Sequence, residues 1–207
     1  RSVLAGKMGL RKPTEFGTDS RTLFTHMVGV RGIHAARSGG GRLPIPSPPD
    51  QGTLHHIFDG GWFWVIPFNN HSLAVNPVCS VGLTLDRKKF PDNARDPEEE
   101  FFDFAGRFPT VKRQFEGARA VRGWVKTGRL QYQSSKLAGD RWCLLPHSGN
   151  FIDALFSGGM TSTLIGVHEV ARVLIGALRS GQLSASLFEG LEVGTAENMQ
   201  LLDKVVH

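Results

Sequence analysis

The chain has 207 residues, 40% of them hydrophobic and 21% charged, a composition that can bury a core and argues against wholesale disorder. The formal charge of +5 admits an acidic partner, yet no nucleic-acid-binding motif accompanies the basic groups at Arg87-Lys88-Lys89, Lys112-Arg113 and Arg119 to Arg129, so a solvated face is the expected reading. No apolar run approaches the roughly 18 residues of a membrane span, and Cys79 and Cys143 lack metal-ligand or redox spacing, which favours two buried, reduced thiols in the cytoplasm over a single disulfide.

In chain order, residues 1–12 carry Val3, Leu4, Met8 and Leu10 and predict a short helix. Residues 23–30 are β-branched and aromatic and predict a strand. Residues 38–51 hold Gly39-Gly40-Gly41 and Pro44, Pro46, Pro48 and Pro49, which predict a loop. Residues 53–86 predict an antiparallel meander: a strand at 54–58, a tight turn at Asp59-Gly60-Gly61, a return strand at 62–66 and a third strand at 78–85. Asp96-Pro97 followed by three glutamates is a helix start, with a side-chain cap, proline in the first turn and charge matched to the dipole. A second helix is expected at 110–118 and short strands at 130–136 and 142–145. The last long helix is expected at 160–178, with Leu164, Val167, Ala171, Leu174, Ile175 and Leu178 on one apolar face. Residues 184–207 are expected to be helical. The class that follows is α+β with a mostly antiparallel central sheet.

Two segments carry candidate chemistry. On a strand, Trp62, Trp64 and Ile66 share one face while Phe63 and Val65 share the other. Such a strand is either a plain core strand or the wall of a pocket, and two tryptophans on one face suit stacking against a planar molecule. The second segment, 144–160, reads as a strand, a glycine-rich turn and a helix start. Small residues permit close backbone approach, and the first-turn amides stabilise negative charge; a helix entry without any ligand is the plainer alternative. His55 and His56 point to opposite faces and do not suit one metal, so no metal site is expected.

The spelling of these segments adds a resemblance. Trp62, Trp64, Ile66 and Pro67 match every fixed position of W-x-W-x-I-P, a signature of flavin-dependent halogenases. Phe151, Asp153, Ser157 and Gly159 match the Phe-x-Asp and Ser-x-Gly positions of the same flavin halogenase and aromatic monooxygenase family. Pro146 and His147 stand where that family has Gly and Asp, and Ala154 stands where it has Pro. The resemblance implies an antiparallel substrate-domain sheet joined to the returning part of a glutathione-reductase-like FAD-binding domain. Its expected segments are 1–15 (end of the first FAD-domain stretch), 16–130 (substrate domain), 131–180 (returning FAD-domain strand and helix) and 181–207 (C-terminal helical segment).

It further implies FAD as cofactor, with His147, Ser148, Asp153, Ser157, Gly158, Gly159 and Met160 approaching it. Trp62, Trp64, Ile66, Pro67 and Phe156 are implied to line the substrate pocket. The implied reaction uses reduced flavin and oxygen to halogenate or hydroxylate an aromatic or carrier-bound substrate. Halide and oxygen are the co-reactants, and a separate flavin reductase is an admissible partner. Tryptophan-type members carry a glutamate where Phe156 stands, so phenols, pyrroles or carrier-bound substrates fit better than indoles. The family's G-x-G-x-x-G turn and its lysine have no counterpart in this chain. It is therefore expected to be an interior piece beginning where the first half of such a protein ends, and inactive in isolation. A flavin monooxygenase or dehydrogenase without halide chemistry and a non-enzymatic basic binding module are the alternatives.

Overall fold

Ser2 opens the chain's first element by accepting a hydrogen bond from the Ala5 amide at 3.2 Å, which caps the single-turn helix α1 (Val3–Lys7). The structure is a computed structural model that describes residues 2–37, 39, 45–46 and 49–206, the side chains of Asp50 and Phe156 excepted. Gly9, at φ +63°, ends the helix and leads into β1 (Arg11–Lys12), so the helix expected over 1–12 is confined to its first half. A left-handed residue cannot continue a right-handed helix. Then follow β2 (Ser20–Val28), α2 (Ile33–Ala36), β3 (Leu54–Phe58), β4 (Gly61–Pro67), β5 (Cys79–Asp86), α3 (Pro97–Gly106), α4 (Pro109–Phe115), β6 (Arg119–Ala120) and β7 (Val125–Lys126). The remainder comprises β8 (Gln133–Ser134), β9 (Ala138–Gly139), β10 (Trp142–Cys143), α5 (Pro146–Gly149), α6 (Gly158–Ser180) and α7 (Glu189–Val206). Of the loop expected over 38–51, residues 38, 40–44 and 47–48 lie outside the described residues, and Pro49–Gln51 forms one 3-10 turn. The chain divides into two compact units, residues 20–129 and residues 1–19 with 130–207.

The first unit is built on an antiparallel sheet in the order β3-β4-β5-β2-β6, with β7 also paired to β2. Gly60, at φ +91°, supplies the turn between β3 and β4, and β5 returns beside β4 to complete the expected meander. One face of the sheet buries Leu23, Met27, Phe63, Val65, Val81, Leu83 and Leu85 against Phe101, Phe104 and Ala105 of α3 and Val111 and Phe115 of α4. Asp96 caps α3 as its sequence implies, accepting from the Glu98 and Glu99 amides at 2.9 and 3.1 Å. Within this core lies a buried ion pair. Arg21 and Glu100 are 1% and 2% exposed, and Arg21 Nη2 donates to Glu100 Oε1 at 2.6 Å.

Among its described residues the second unit has only two-residue ladders, β1 with β8 and β9 with β10. The strands expected over 130–136 and 142–145 shrink to residues 133–134 and 142–143, with one further bridge between Tyr132 and Phe151. Side-chain bonds replace the ladder here: Gln131 Nε2 donates to the Ile152 carbonyl at 2.6 Å and the Ser134 amide donates to Asn150 Oδ1 at 3.2 Å. A small core of Ala5, Leu137 and Leu144 sits among them. Asp203 of α7 holds the 17–18 segment, accepting from the Gly17 and Thr18 amides at 2.8 and 2.9 Å.

The apolar face of α6 is exposed within this chain at Leu164 (65%), Ile175 (55%) and Leu178 (69%), whereas Ser162, Gly166 and Ala177 are buried. The small residues are covered because they admit close neighbours: a Cβ on Gly166 would lie 2.4 Å from Pro146 Cδ, and Ser162 Oγ accepts from Asn198 of α7 at 2.7 Å. By length and composition this 23-residue helix is apolar enough to cross a membrane. The sequence expectation of no span counted uninterrupted apolar residues, whereas the helix averages small and apolar residues around His168, Glu169 and Arg172.

Candidate functional site

The W-x-W-x-I-P segment is β4, an inner strand between β3 and β5. Directly paired residues of an antiparallel sheet share a face. One row across the sheet therefore carries His55, Trp64, Gly82 and Phe24, and the next carries Ile57, Trp62, Thr84 and Thr22. A third row carries Ile66, Ser80 and His26. This face is the one opposite α3 and α4. The structure thus brings Trp62, Trp64 and Ile66 together. Pro67 falls on the other face, where it lines a cleft of about 370 Å³ with Val65, Cys79 and Gln114. Strand alternation accounts for this, because Pro67 is one residue out of phase with Ile66.

The two tryptophans are unequal. Trp62 is buried, its ring edge-on to His55 at 5.1 Å and tilted 5.6 Å from Trp64. Trp64 is half-buried, 6.2 Å from the ring of Phe24, and its Nε1–H donates to Ser80 Oγ at 3.3 Å. Of the pair, Trp64 has the more accessible indole, and Trp62 is its packing partner. His56 points the other way and meets Gln114 Oε1 at 2.7 Å. Burial lowers the pKa of both histidines and so favours neutral imidazoles.

The second segment lies in the other unit and forms a short helix, a 3-10 turn and the start of α6. His147 sits in α5, stacked on Phe151 at 5.0 Å. Phe151 stacks in turn on Tyr132 at 5.8 Å, and the Arg11 guanidinium lies 4.3 Å from the Tyr132 ring centre. Tyr132 Oη donates to the His147 carbonyl at 2.5 Å, tying the column to α5. Burial lowers the His147 pKa, so its ring is neutral near pH 7. The ring rests against the start of α6, where a Cβ on Gly159 would lie 3.1 Å from it. A Cβ on Gly158 would lie 3.0 Å from Leu202, so both glycines answer a packing need at the helix entry.

Ser157 precedes them in the left-handed conformation, at φ 56° and ψ 26°, without capping the helix through its hydroxyl. A non-glycine residue there stores roughly 1–3 kcal/mol of strain. The amides that follow, from Gly158, Gly159 and Met160, have no i−4 carbonyl within the helix and lie at its positive end. Met160 is 67% exposed. Asp153 is buried, and its Oδ1 accepts from the Leu155 amide at 2.8 Å, which shapes the 3-10 turn Leu155–Ser157. Ser148 contributes its carbonyl to Arg11 Nη2 at 3.4 Å. The backbone of Phe156 lies in the 3-10 turn, and its side chain lies outside the described residues.

Sequence reasoning missed Gly82, Ser80 and Phe24 around Trp64, and Arg11 and Tyr132 beneath His147. A signal existed for Gly82 alone, as a single glycine inside a β-rich run.

No protein-family model matches the chain. It is 44% identical over 209 aligned residues to tetracycline 7-halogenase of Kitasatospora aureofaciens, covering 100% of this chain and 38% of that protein. It is 45% identical to the monodechloroaminopyrrolnitrin halogenase PrnC of Pseudomonas fluorescens, covering 93% of this chain and 34% of that protein. The structure of the halogenase PltM in complex with phloroglucinol and FAD superposes with a TM-score of 0.89 at 35% identity, covering 97% of this chain and 41% of that one. In sequence and in fold the chain is homologous along nearly its whole length to flavin-dependent halogenases. It spans between about a third and two fifths of the length of these relatives.

Proposed function

We propose that the whole protein is an FAD-dependent halogenase acting on an electron-rich aromatic or carrier-bound substrate. The observation that carries this reading is the 44% identity to a halogenase over the entire chain, with the W-x-W-x-I-P strand folded as an inner strand of the sheet. Bound FAD, once reduced, supplies the electrons that activate dioxygen for oxidation of a halide. A separate flavin reductase and a halide are the partners that chemistry requires. The relatives' own substrates differ from one another by name, so the choice of substrate stays at the level of chemical class. Phe156 in place of a glutamate directs it toward phenols, pyrroles or carrier-bound rings.

The residues of the second segment suit the anionic edge of a reduced flavin. The left-handed Ser157 turns the chain so that Gly158, Gly159 and Met160 present first-turn amides at the positive end of a 23-residue helix. Neutral His147 takes the place of the family's carboxylate and adds a hydrogen-bonding edge without adding charge. Ser148 and Asp153 hold the turn from behind. On the sheet, Trp64 and Ile66 give a dry wall against which a planar ring can lie, and Trp62 backs that wall. In this reading Pro67 terminates the strand and lies on the far face. Free, partly or fully buried thiols at Cys79 and Cys143, the former with its pKa pushed up to about 12 by burial, suit a cytoplasmic location.

The test is turnover of the full-length protein with FAD, a flavin reductase, NADH and oxygen, in the presence of bromide, of chloride, or of neither. Phenolic, pyrrolic and carrier-loaded substrates are read by mass spectrometry. A halogen isotope pattern that requires added halide is expected. A hydroxylated product formed equally with and without halide would overturn the halogenase reading.

A further inference from the structure

Strand β5 carries one glycine, Gly82, in its interior. Its φ is not positive, so conformational freedom does not explain it, and a glycine in mid-strand weakens the strand. The explanation lies on the neighbouring strand. A Cβ at position 82 would stand 2.2 Å from Cη2 and Cζ2 of Trp64 and 2.6 Å from its Cε2. The indole therefore lies down across the β5 backbone. Ser80, two residues earlier on the same face, accepts its Nε1–H at 3.3 Å and so fixes which way the ring points. On the far side of Gly82, Phe24 meets the ring at 6.2 Å and is itself overlaid by Arg122 at 5.8 Å.

We propose that Gly82 and Ser80 are positioning residues for Trp64, and that they set the depth and orientation of the aromatic wall a substrate meets. Gly82 provides the room for the ring to lie flat, and Ser80 stops it turning. Any side chain at 82 lifts the indole off the sheet into the space in front of it. Laying an aromatic ring over a cross-strand glycine also stabilises a sheet by itself, so stability is a poor readout. The proposal rests on the reading of Trp64 as a pocket wall, and its effect is therefore sought in substrate recognition.

The test uses the full-length protein carrying Gly82→Ala, Ser80→Ala or Ser80→Thr, each paired with its Trp64→Phe counterpart. In turnover, Gly82→Ala is expected to raise KM for the aromatic substrate about tenfold, with a smaller change in kcat. Ser80→Ala raises KM by a few-fold, and Ser80→Thr, which keeps the hydroxyl, restores it. Peroxide released per substrate halogenated rises in step. A wild-type KM and product-to-peroxide ratio in folded Gly82→Ala and Ser80→Ala, beside a Trp64→Phe variant that changes both, overturns the positioning role and leaves the pocket reading standing. Wild-type protein without halide-dependent product instead defeats the pocket reading. Trp64 emission, taken as the difference between each variant and its Trp64→Phe counterpart, then decides the seating on its own. A red shift in both variants supports it and an unmoved spectrum overturns it. Should Gly82→Ala not fold, the Ser80 pair carries the same two outcomes.

Discussion

Replacing Glu100 by alanine strands a guanidinium in the core of the sheet unit. Arg21 and Glu100 are 1% and 2% exposed and joined twice, at 2.6 and 3.2 Å. The carboxylate also receives Asn93 Nδ2 at 2.8 Å and Lys126 Nζ at 3.1 Å, while Arg21 Nε donates to the Phe90 carbonyl at 2.9 Å. Losing one partner of such a pair leaves an uncompensated buried charge, at a cost of roughly 3–5 kcal/mol. Replacing both by apolar residues, Arg21→Met with Glu100→Leu, removes that charge and is expected to recover most of the loss. Burial alone would raise the Glu100 pKa, but hydrogen bonds from Arg21, Asn93 and Lys126 outweigh it and hold the group at about 2, against an ordinary 4.5. The folded value lies below the unfolded one, so this stabilisation is full above pH 4.5 and is lost as pH falls through about 2. The shift is worth about 3 kcal/mol. Urea unfolding followed by circular dichroism between pH 7 and pH 3 measures both effects. A Glu100→Ala cost below about 1 kcal/mol, or a double variant as unstable as the sum of the singles, would refute the reasoning.

Burial depresses His55, His56 and His147, so the unfolded chain takes up protons that the folded one resists. Stability from these groups is present above about pH 6.5 and declines as pH falls through their lowered values. His147→Phe, which preserves a stack on Phe151, is expected to flatten that decline, and an unaltered slope in unfolding titrations would count against it. Gly166→Ala forces a methyl to within 2.4 Å of Pro146 Cδ and is expected to cost roughly 1–3 kcal/mol by overpacking. Thermal unfolding reads this directly, and a melting temperature equal to that of the parent would show that the contact between α5 and α6 yields freely.

Local rules made much of the sheet unit legible. Alternation along residues 54–66 places Trp62, Trp64 and Ile66 on one face and His55 and His56 on opposite faces, as the strand pairing shows. The Asp59-Gly60 turn and the Asp96 cap were readable because each depends on a dihedral or a side chain within three residues. The other unit was less legible. Its strands are two residues long, and side-chain bonds such as Gln131 to Ile152 replace the ladders that a periodic pattern would announce.

By itself, the sequence determined the three long strands of the meander, the start of α3, the shared face of Trp62, Trp64 and Ile66, and the W-x-W-x-I-P signature that they spell. These follow from period, turn chemistry and spelling, all short-range properties of the chain. Only the tertiary structure decided that Trp62 is buried while Trp64 is half-exposed, and that Gly82 is the seat of that ring. It alone brought Arg11 over Tyr132 and His147 onto Phe151, and chose Ser162, Gly166 and Ala177 as the buried side of α6. Such outcomes depend on which distant surface arrives. Hydrophobic periodicity marks a face as apolar, whereas close packing selects the face whose small residues let the neighbouring backbone in.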